Sequence, residues 1–309
     1  MRYAVLFPGQ GAQFVGMGAE LFDVRPDLLG ETADAVLGWS LAALCGTGPE
    51  ESLTRTEHAQ PALYALAHAL WDEFAKAAPF SPVAAAGHSL GEYTALASSG
   101  AMTYEEGLAL VAARGTAMAA AADAEPSGMA ALLGADVDAA EALAESARRN
   151  GGRLWVANVN APGQVVVAGA MSEIEWAVEH GREFSVRRVI PLNVAGAFHT
   201  PFMESAVPAL EQAVGSVSFA RPEFEVWGNT AAVPLAQEDI AGALVRQIVE
   251  PVRFALSLER MAAAGVEAFV HVGPGDVTAG MARRTIPDAQ IFVVGDLAAI
   301  GPVTEALAG

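Results

Sequence analysis

Short apolar runs alternate with stretches of helical spacing along most of the chain, and this alternation predicts an α/β protein. The longest helical pattern covers residues 57–76, with Pro61 near its first turn, where proline is tolerated. Further helices are predicted from the glycine-rich turn after the first strand to about residue 23, and as two short helices over 27–46. Others are predicted after the elbow described below, from residue 103, near 201, over 240–249, before 268 and at the C-terminus. The apolar runs predicted to form strands of one large unit are residues 2–7, 82–86, 224–228, 268–272 and 291–294.

The pattern changes between residues 127 and 190, where shorter elements follow in the order β-α-β-β-α-β. The strands are predicted at 129–133, 153–159, 164–169 and 185–190, and the helices at 137–149 and 172–180. This order is that of a ferredoxin-like unit. We therefore predict a large domain formed by residues 1–126 and 191–309, with a ferredoxin-like subdomain, residues 127–190, inserted into it.

The segment Gly87-His88-Ser89-Leu90-Gly91 has the spacing of a nucleophile elbow. In such a turn a serine stands between a strand and a helix in a strained conformation, and glycine is needed where neighbouring backbone comes close. An apolar run precedes this segment and a helical pattern follows it, as the motif requires. Ser89 is therefore the candidate nucleophile, and for His88 we expect packing or a hydrogen bond to backbone.

A serine nucleophile needs a base, and His199 is the best candidate. It lies in a loop of small residues directly before a predicted helix, a context that the other histidines lack. Arg114 is a second candidate site residue, because it lies in an alanine-rich helical stretch where an unpaired buried charge would be very costly. Its partner is either a protein carboxylate, such as Glu92 or Glu106, or a carboxylate on a ligand.

Three further polar residues stand near predicted element ends. Gln10 follows the first strand in a glycine-rich turn, where its N–H or amide is predicted to face a reacting centre. A dinucleotide fingerprint is excluded there, because Phe14 stands where the third glycine belongs. Gln60 is interpreted either as a helix cap or as a wall of the active cleft. Asn160 lies in the link between the two middle strands of the small unit, where a plain turn residue is also expected.

Composition narrows the range of partners. The formal net charge of −19 argues against nucleic acid, whose binding depends on basic surface. The single Cys45 excludes an intramolecular disulfide, and no Cys or His cluster predicts a metal site. No apolar run of about 18 residues predicts a membrane segment, so we expect a cytoplasmic protein.

Anionic partners must be bound mainly by arginine, because Lys76 is the only lysine among the 17 basic residues. A strongly acidic protein needs a local basic patch to attract an acidic partner. The candidate patches for docking are Arg182, Arg187 and Arg188 in the small unit, with Arg283 and Arg284 as a second set.

Taken together, the motifs resemble those of malonyl-CoA:acyl carrier protein transacylases, and the resemblance covers essentially the whole chain. It implies an α/β-hydrolase-like large domain with an inserted ferredoxin-like subdomain, in agreement with the element order above. The segments that carry it, in chain order, are Phe7-Pro-Gly-Gln-Gly-Ala-Gln13, Gln60-Pro-Ala-Leu63, Gly87-His-Ser-Leu-Gly-Glu-Tyr93, Arg114-Gly115, Asn160-Ala-Pro-Gly-Gln164, Ala197-Phe-His-Thr-Pro-Phe-Met203, Gln247-Ile-Val-Glu-Pro-Val-Arg-Phe254 and Gly273-Pro-Gly275.

The resemblance also implies a mechanism, a Ser-His dyad working by ping-pong acyl transfer. Malonyl would pass from coenzyme A to Ser89, with His199 as base, and then to the phosphopantetheine thiol of acyl carrier protein. The family orients its histidine with a backbone carbonyl, which Gln247 would supply here. Malonyl-CoA and acyl carrier protein are thus the expected partners, with no metal or redox cofactor, and we expect a monomer.

The remaining roles follow from the same resemblance. The N–H groups of Gln10 and Leu90 would form the oxyanion hole. Arg114 would pair bidentately with the free malonyl carboxylate, and we place Gln60 and Asn160 in the same substrate site.

Three alternatives stay open beside malonyl transfer for fatty acid synthesis. The first is a discrete malonyl acyltransferase of a polyketide pathway, since such enzymes share these motifs and Ala197-Phe198-His199 resembles their malonyl-type pattern. The second is an acyl-thioester hydrolase, which needs only the elbow and leaves Arg114 unexplained. The third is a non-catalytic module that docks carrier protein, which explains the arginine pairs but not Ser89 and His199.

Overall fold

The computed structural model describes residues 1–309 and contains two β-sheets surrounded by helices. The strands are β1 Tyr3–Phe7, β2 Ala84–Gly87, β3 Ser127–Leu133, β4 Leu154–Ala161, β5 Gln164–Ala170, β6 Arg188–Pro191, β7 Glu225–Trp227, β8 Ala268–Val272 and β9 Gln290–Val294. The α-helices are α1 Ala19–Val24, α2 Pro26–Leu29, α3 Glu31–Leu37, α4 Leu41–Thr47, α5 Glu50–Thr54, α6 Thr56–Ala77, α7 Gly91–Ser98, α8 Tyr104–Ala124, α9 Val137–Arg149, α10 Met171–His180, α11 Val207–Val214, α12 Ile240–Gln247, α13 Phe254–Ala263, α14 Val277–Thr285 and α15 Ile300–Ala308. Short 3₁₀ helices lie at Gly181–Phe184, Pro201–Ala206, Gln237–Asp239 and Leu297–Ala299.

The large sheet is parallel throughout, with the strand order β7-β2-β1-β8-β9. Its central strand β1 places Phe7 opposite Gly87 of β2, and Leu6 opposite His271 of β8. Because all five strands run in one direction, their carboxyl ends lie along one edge, where α/β proteins bind ligands. The turns after β1, β2, β7 and β8 start at this edge.

Side chains of β1 alternate between two cores. Tyr3, Val5 and Phe7 face the main core of 58 buried residues, which α6, α7 and α8 share. Ala4 and Leu6 face a second core of 14 residues, which α13 and α14 share. An extended strand alternates its side chains in this way, and burial on both faces explains why the sequence shows an unbroken apolar run.

The small sheet is antiparallel, with the order β4-β5-β3-β6, and α9 and α10 pack on it around a separate core of 14 residues. It is fixed to the large unit through Val252. The N–H of Val159 donates to Val252 O (2.8 Å), and the N–H of Val252 donates to Ala157 O (2.9 Å). The small sheet is thereby joined directly to the segment that follows α12.

The predicted fold class is confirmed: an α/β protein with a parallel sheet and a small ferredoxin-like unit. The elements of the small unit follow in the predicted β-α-β-β-α-β order. The domain boundaries at residues 126/127 and 190/191 stay a prediction. No single helix has both the length and the apolar composition to cross a membrane, although the bent pair Pro26–Leu37 with Leu41–Thr47 meets those two criteria.

Several local predictions are wrong, mostly at glycines. The first helix begins only at Ala19, because Gly16 and Gly18 adopt positive φ, a conformation that interrupts a helix. Residues 27–46 hold three helices rather than two, since the chain breaks at Gly30 and Gly38. The turn after β8 leads into α14, which the sequence pattern did not predict.

Candidate active site

The carboxyl edge of the large sheet brings the predicted nucleophile and base together. Ser89 follows β2 at the start of α7, and His199 lies in the loop before the 3₁₀ helix at Pro201. Ser89 Oγ and His199 Nε2 are 2.8 Å apart, although the two residues are 110 positions apart in sequence. The edge thus holds a serine and a histidine within hydrogen-bonding distance.

The turn at Ser89 has the strained conformation of a nucleophile elbow. Ser89 has φ 51°, a left-handed value that costs a non-glycine residue about 1–3 kcal/mol. A Cβ at Gly87 would overlap the carbonyl of Gly91, and a Cβ at Gly91 would overlap the carbonyl oxygen of Phe7. Both positions therefore require glycine.

The tautomer of His199 follows from its two partners. Its Nδ1 is 2.6 Å from the carbonyl oxygen of Gln247, which can only accept, so Nδ1 carries the proton. Nε2 then has a free lone pair that accepts the hydroxyl proton of Ser89. Gln247 is the last residue of α12, where backbone carbonyls lack a partner within the helix. A helix end thus takes the place that a carboxylate has in a catalytic triad.

Burial keeps the imidazole of His199 neutral. It lowers the pKa of His199 to about 3, and the nearby guanidinium of Arg114 acts in the same direction. A neutral histidine is the form that accepts a proton. The residue also has φ 60°, so both members of the pair lie in the left-handed region. Such strain is common at functional sites, where the surrounding structure maintains it.

Two backbone N–H groups near Ser89 have no acceptor within the protein. They belong to Leu90, directly before α7, and to Gln10, in the turn after β1. The N–H of Ser89 itself is occupied, because it donates to Asn229 Oδ1 (2.7 Å). Free N–H groups favour negative charge, and the helix start adds to this effect at Leu90, so these two donors suit an oxyanion.

Arg114 is buried, with 1% of its surface exposed, and lies against the nucleophile. Its Nη2 donates to Ser89 Oγ (3.0 Å) and to Gln247 Oε1 (2.9 Å), and its Nη1 donates to Gln60 Oε1 (2.6 Å). The guanidinium carbon also stands 5.4 Å from the centre of the Tyr93 ring, within the range of a cation–π interaction. Its Nε has no partner. Burial lowers the pKa of Arg114, while Tyr93 and Glu92 oppose that change.

No protein carboxylate forms an ion pair with Arg114. Glu106, one of the two carboxylates considered from the sequence, caps α8 by accepting from the N–H of Thr103 (2.8 Å). Glu92, the other, reaches Arg114 only through the side chain of Gln247. The guanidinium charge is therefore without a direct anionic partner.

For three polar residues the structure excludes one of the interpretations that the sequence left open. Gln60 is not a helix cap, because α6 begins at Thr56 and carries Gln60 as a buried residue. Asn160 is not a turn residue but belongs to β4, and its Oδ1 accepts from His88 Nε2 (2.7 Å). The expected backbone hydrogen bond of His88 is thus replaced by one to a side chain, although the ring also packs edge-on against Phe254.

Asn229 is a site residue that sequence reasoning missed. Its side-chain amide spans the elbow: Oδ1 accepts from Ser89 N and Nδ2 donates to Gly87 O (2.7 Å). The available signal was its place directly after the predicted strand at 224–228, at the carboxyl edge of the sheet. Gln247 was assigned for its backbone carbonyl, but its side chain is also involved, since it contacts Arg114, Ser89 and Glu92.

A cavity of about 200 Å³ opens onto these groups. Its walls include the predicted site residues Gln10, Gln60, Ser89, Leu90, Arg114, Asn160 and His199. Met118, Phe198 and Met281 add an apolar part. A larger cavity of about 790 Å³ lies at the opposite end of the large sheet, around Pro82 and Phe224, far from the serine and histidine. The smaller cavity is therefore the candidate active site, because of the residues that line it and in spite of its smaller volume.

An activated serine, a neutral base and free donors for an oxyanion can form and break an acyl-serine ester, so the fold and site define an α/β acyl-transferring enzyme. The model of the acyl transferase domain family matches residues 5–299. The chain is 36% identical to the malonyl CoA-acyl carrier protein transacylase of Bacillus subtilis (strain 168) over 298 residues, which are 96% of this chain and 94% of that protein. The chain thus belongs to the acyl transferase domain family and, within it, to the malonyl-CoA:acyl carrier protein transacylases.

Two further relatives come from polyketide biosynthesis. A polyketide biosynthesis malonyl CoA-acyl carrier protein transacylase of the same Bacillus strain is 37% identical over 287 residues, covering 92% of this chain and 97% of its own. A malonyl-transacylase solved in complex with its type II polyketide synthase acyl carrier protein superposes with a TM-score of 0.93 and 33% identity, covering 99% of this chain and 100% of that one. The sequence identity to this chain is thus similar for relatives whose names mention a polyketide pathway and for those whose names do not.

Proposed function

We propose that this enzyme transfers a malonyl group from malonyl-CoA to the phosphopantetheine thiol of acyl carrier protein, through a malonyl ester on Ser89. The observation that carries the proposal is Arg114, a buried cation that touches the nucleophile and has no protein carboxylate as partner. A malonyl group attached to Ser89 carries its free carboxylate a few bonds away, within reach of the guanidinium. Pairing with it removes the cost of an unpaired buried charge.

The first half-reaction starts with proton transfer from Ser89 Oγ to His199 Nε2. The oxygen attacks the thioester carbonyl of malonyl-CoA, and the resulting oxyanion accepts hydrogen bonds from Gln10 N and Leu90 N. The C–S bond then breaks, and His199 returns the proton to the coenzyme A sulfur. The Gln247 carbonyl keeps the ring in the required tautomer and accepts from the imidazolium while it exists.

The second half-reaction runs the same steps with a different thiol. His199 takes the proton of the phosphopantetheine thiol, and the thiolate attacks the malonyl ester of Ser89. Collapse of the tetrahedral intermediate breaks the ester bond and returns the proton to Ser89 Oγ. Both half-reactions exchange one acyl bond for another, so we propose that no metal or redox cofactor takes part.

Carrier protein requires a docking surface, and we place it at the far end of the small sheet. Arg187 lies against Gly134, whose N–H donates to Gly163 O (2.9 Å), while Nη1 of Arg284 donates to Gln164 Oε1 (3.2 Å). Arg187 from one predicted arginine set and Arg284 from the other thus lie near the same turn, and both are exposed. A local basic patch is what an acidic carrier needs on an enzyme of charge −19.

We further propose that the enzyme acts in fatty acid synthesis, that it is a monomer and that it is located in the cytoplasm. The alternative is a polyketide pathway, which the second and third relatives favour by their own names. The two pathways use the same reaction and differ in the carrier protein. Malonyl transfer rates to purified fatty acid and polyketide carrier proteins distinguish them.

Mass spectrometry of the intact protein and of its proteolytic peptides tests the function directly. After mixing with malonyl-CoA, the enzyme should gain one malonyl group on the peptide that contains Ser89, and carrier protein should then remove it. Ser89→Ala is the control and should gain none. Steady release of malonate without carrier protein would indicate a hydrolase, and the absence of any adduct would indicate a docking module.

A further inference from the structure

Behind the elbow, a chain of hydrogen bonds connects Arg114 to a buried carboxylate. Arg114 donates to Gln247 Oε1 (2.9 Å), and Gln247 Nε2 donates to Glu92 Oε2 (2.6 Å). Neither Glu92 nor Gln247 lines the cavity, so neither is placed to touch the acyl group. Glu92 is 1% exposed, and its Oε1 has no partner.

The chemistry of these groups fixes the orientation of the Gln247 amide. A guanidinium only donates and an ionised carboxylate only accepts, so an amide between them must turn its oxygen to Arg114 and its nitrogen to Glu92. The same nitrogen donates to Ser89 O (2.9 Å). Without the carboxylate, the amide loses its strongest acceptor and the reversed orientation becomes accessible. In that orientation Arg114 would face two N–H groups instead of an acceptor.

Glu92 also has a second contact, which gives it a structural role. Its Oε2 accepts from Asn229 N (3.2 Å), and Asn229 in turn accepts from the N–H of Ser89. Burial raises the pKa of Glu92 to about 7, against the effects of Gln247, Asn229 and Arg114. A carboxylate in such surroundings is costly, and such groups are common at functional sites.

We propose that Glu92 is a positioning residue for malonyl selection: through the side-chain amide of Gln247 it holds the guanidinium of Arg114 in the orientation that accepts the malonyl carboxylate. The inference rests on the proposed function. It differs from support of the elbow through Asn229, because loss of the elbow slows every acyl substrate equally, whereas loss of Arg114 orientation slows only a substrate with a carboxylate.

Two conservative variants separate hydrogen bonding from charge. Glu92→Gln keeps an oxygen at the place of Oε2, which accepts from Gln247 and Asn229, but removes the charge. Glu92→Asp keeps the charge but is one methylene shorter, so it withdraws from Gln247. The matched control is Glu105→Gln, an exposed position at the start of α8. For all forms, the experiment measures initial rates with malonyl-CoA and with acetyl-CoA, in each case with carrier protein as acceptor. It also measures the melting temperature of each form.

The ratio of kcat/KM for malonyl-CoA to that for acetyl-CoA is the deciding quantity. It should stay within about threefold of wild type in Glu92→Gln and fall about tenfold or more in Glu92→Asp, the size expected for one lost charge-assisted hydrogen bond. The control should match wild type. A better ratio in Glu92→Asp than in Glu92→Gln, parallel losses with both thioesters, or unchanged ratios in both variants would each overturn the proposal. If the wild type itself transfers no malonyl, the proposed function fails instead.

Discussion

Replacing Arg114 by alanine should change which acyl group the enzyme accepts. The guanidinium makes three hydrogen bonds, one of them to Ser89 Oγ, and its Nε is unpartnered. A bidentate pair with the malonyl carboxylate would add two charge-assisted bonds at about 1.5–3 kcal/mol each. The loss of about 3–6 kcal/mol corresponds to a fall of roughly 10²–10⁴-fold in kcat/KM for malonyl-CoA, at 1.4 kcal/mol per factor of ten.

Acetyl-CoA should respond in the opposite direction. Acetyl has no carboxylate, so in the wild type it leaves the buried Arg114 without an anionic partner, and polar sites reject such analogues by up to about 10⁴–10⁵-fold. With alanine at position 114 this penalty disappears, and kcat/KM for acetyl-CoA should hold or rise. The malonyl-to-acetyl ratio should therefore fall further than malonyl activity alone.

The assay measures initial rates of acyl transfer to carrier protein with each thioester, together with the melting temperature. Arg114→Lys is the matched control: it keeps the charge but not the two-pronged donor, so its ratio should lie between those of the wild type and Arg114→Ala. Alanine also leaves the amide oxygens of Gln60 and Gln247 unpaired, so some loss of stability is expected. An unchanged ratio, with both activities reduced in parallel, would refute the carboxylate role and assign Arg114 to structure.

Three further predictions concern the dyad and the docking patch. His199→Ala should lower the rate of acylation roughly 10²–10⁴-fold with the melting temperature near wild type; near-normal activity would place the base elsewhere. Since burial lowers the pKa of His199 to about 3, its imidazole should stay neutral from pH 8 down to pH 5, which ¹⁵N NMR of labelled histidine can follow; a midpoint near 6.5 would contradict the burial argument. Reversing Arg187 and Arg284 to glutamate should slow malonyl transfer to carrier protein while acylation by malonyl-CoA keeps its rate, and equal effects on both half-reactions would remove the patch from consideration.

The parts of the site that sequence predicted best depend on short-range backbone chemistry. The elbow is an example. A side chain at Gly87 would overlap the carbonyl of Gly91, and one at Gly91 would overlap the carbonyl of Phe7, so both positions must be glycine. The order of elements could also be predicted, because β1 is buried on both faces and appears as an unbroken apolar run, and the equally buried β8 is interrupted only by His271. Neither inference needs knowledge of distant contacts.

The parts that sequence could not predict depend on where an element ends and what packs beside it. Gln60 and Asn160 each lie within a turn or two of an element boundary, so a shift of a few residues converts a cap or turn residue into a buried one. The links among Arg114, Gln247 and Glu92 join residues from three helices, and no local pattern records such a meeting. The same holds for Asn229, whose role appears only once β7 lies beside β2.

The position of β1 in the large sheet has a consequence for synthesis on the ribosome. Of the nine strands described, β1 is made before the others, yet it lies at the centre of the sheet and pairs on one side with β8, from Tyr3 opposite Ala268 to Leu6 opposite His271. Until residues 268–272 leave the exit tunnel, the nascent chain carries an unpaired, fully apolar edge. Such edges promote aggregation, and pairings of long sequence separation form slowly. We therefore expect the growing chain to depend on chaperones, and forms truncated before β8 to be recovered as aggregates rather than as a folded amino-terminal half.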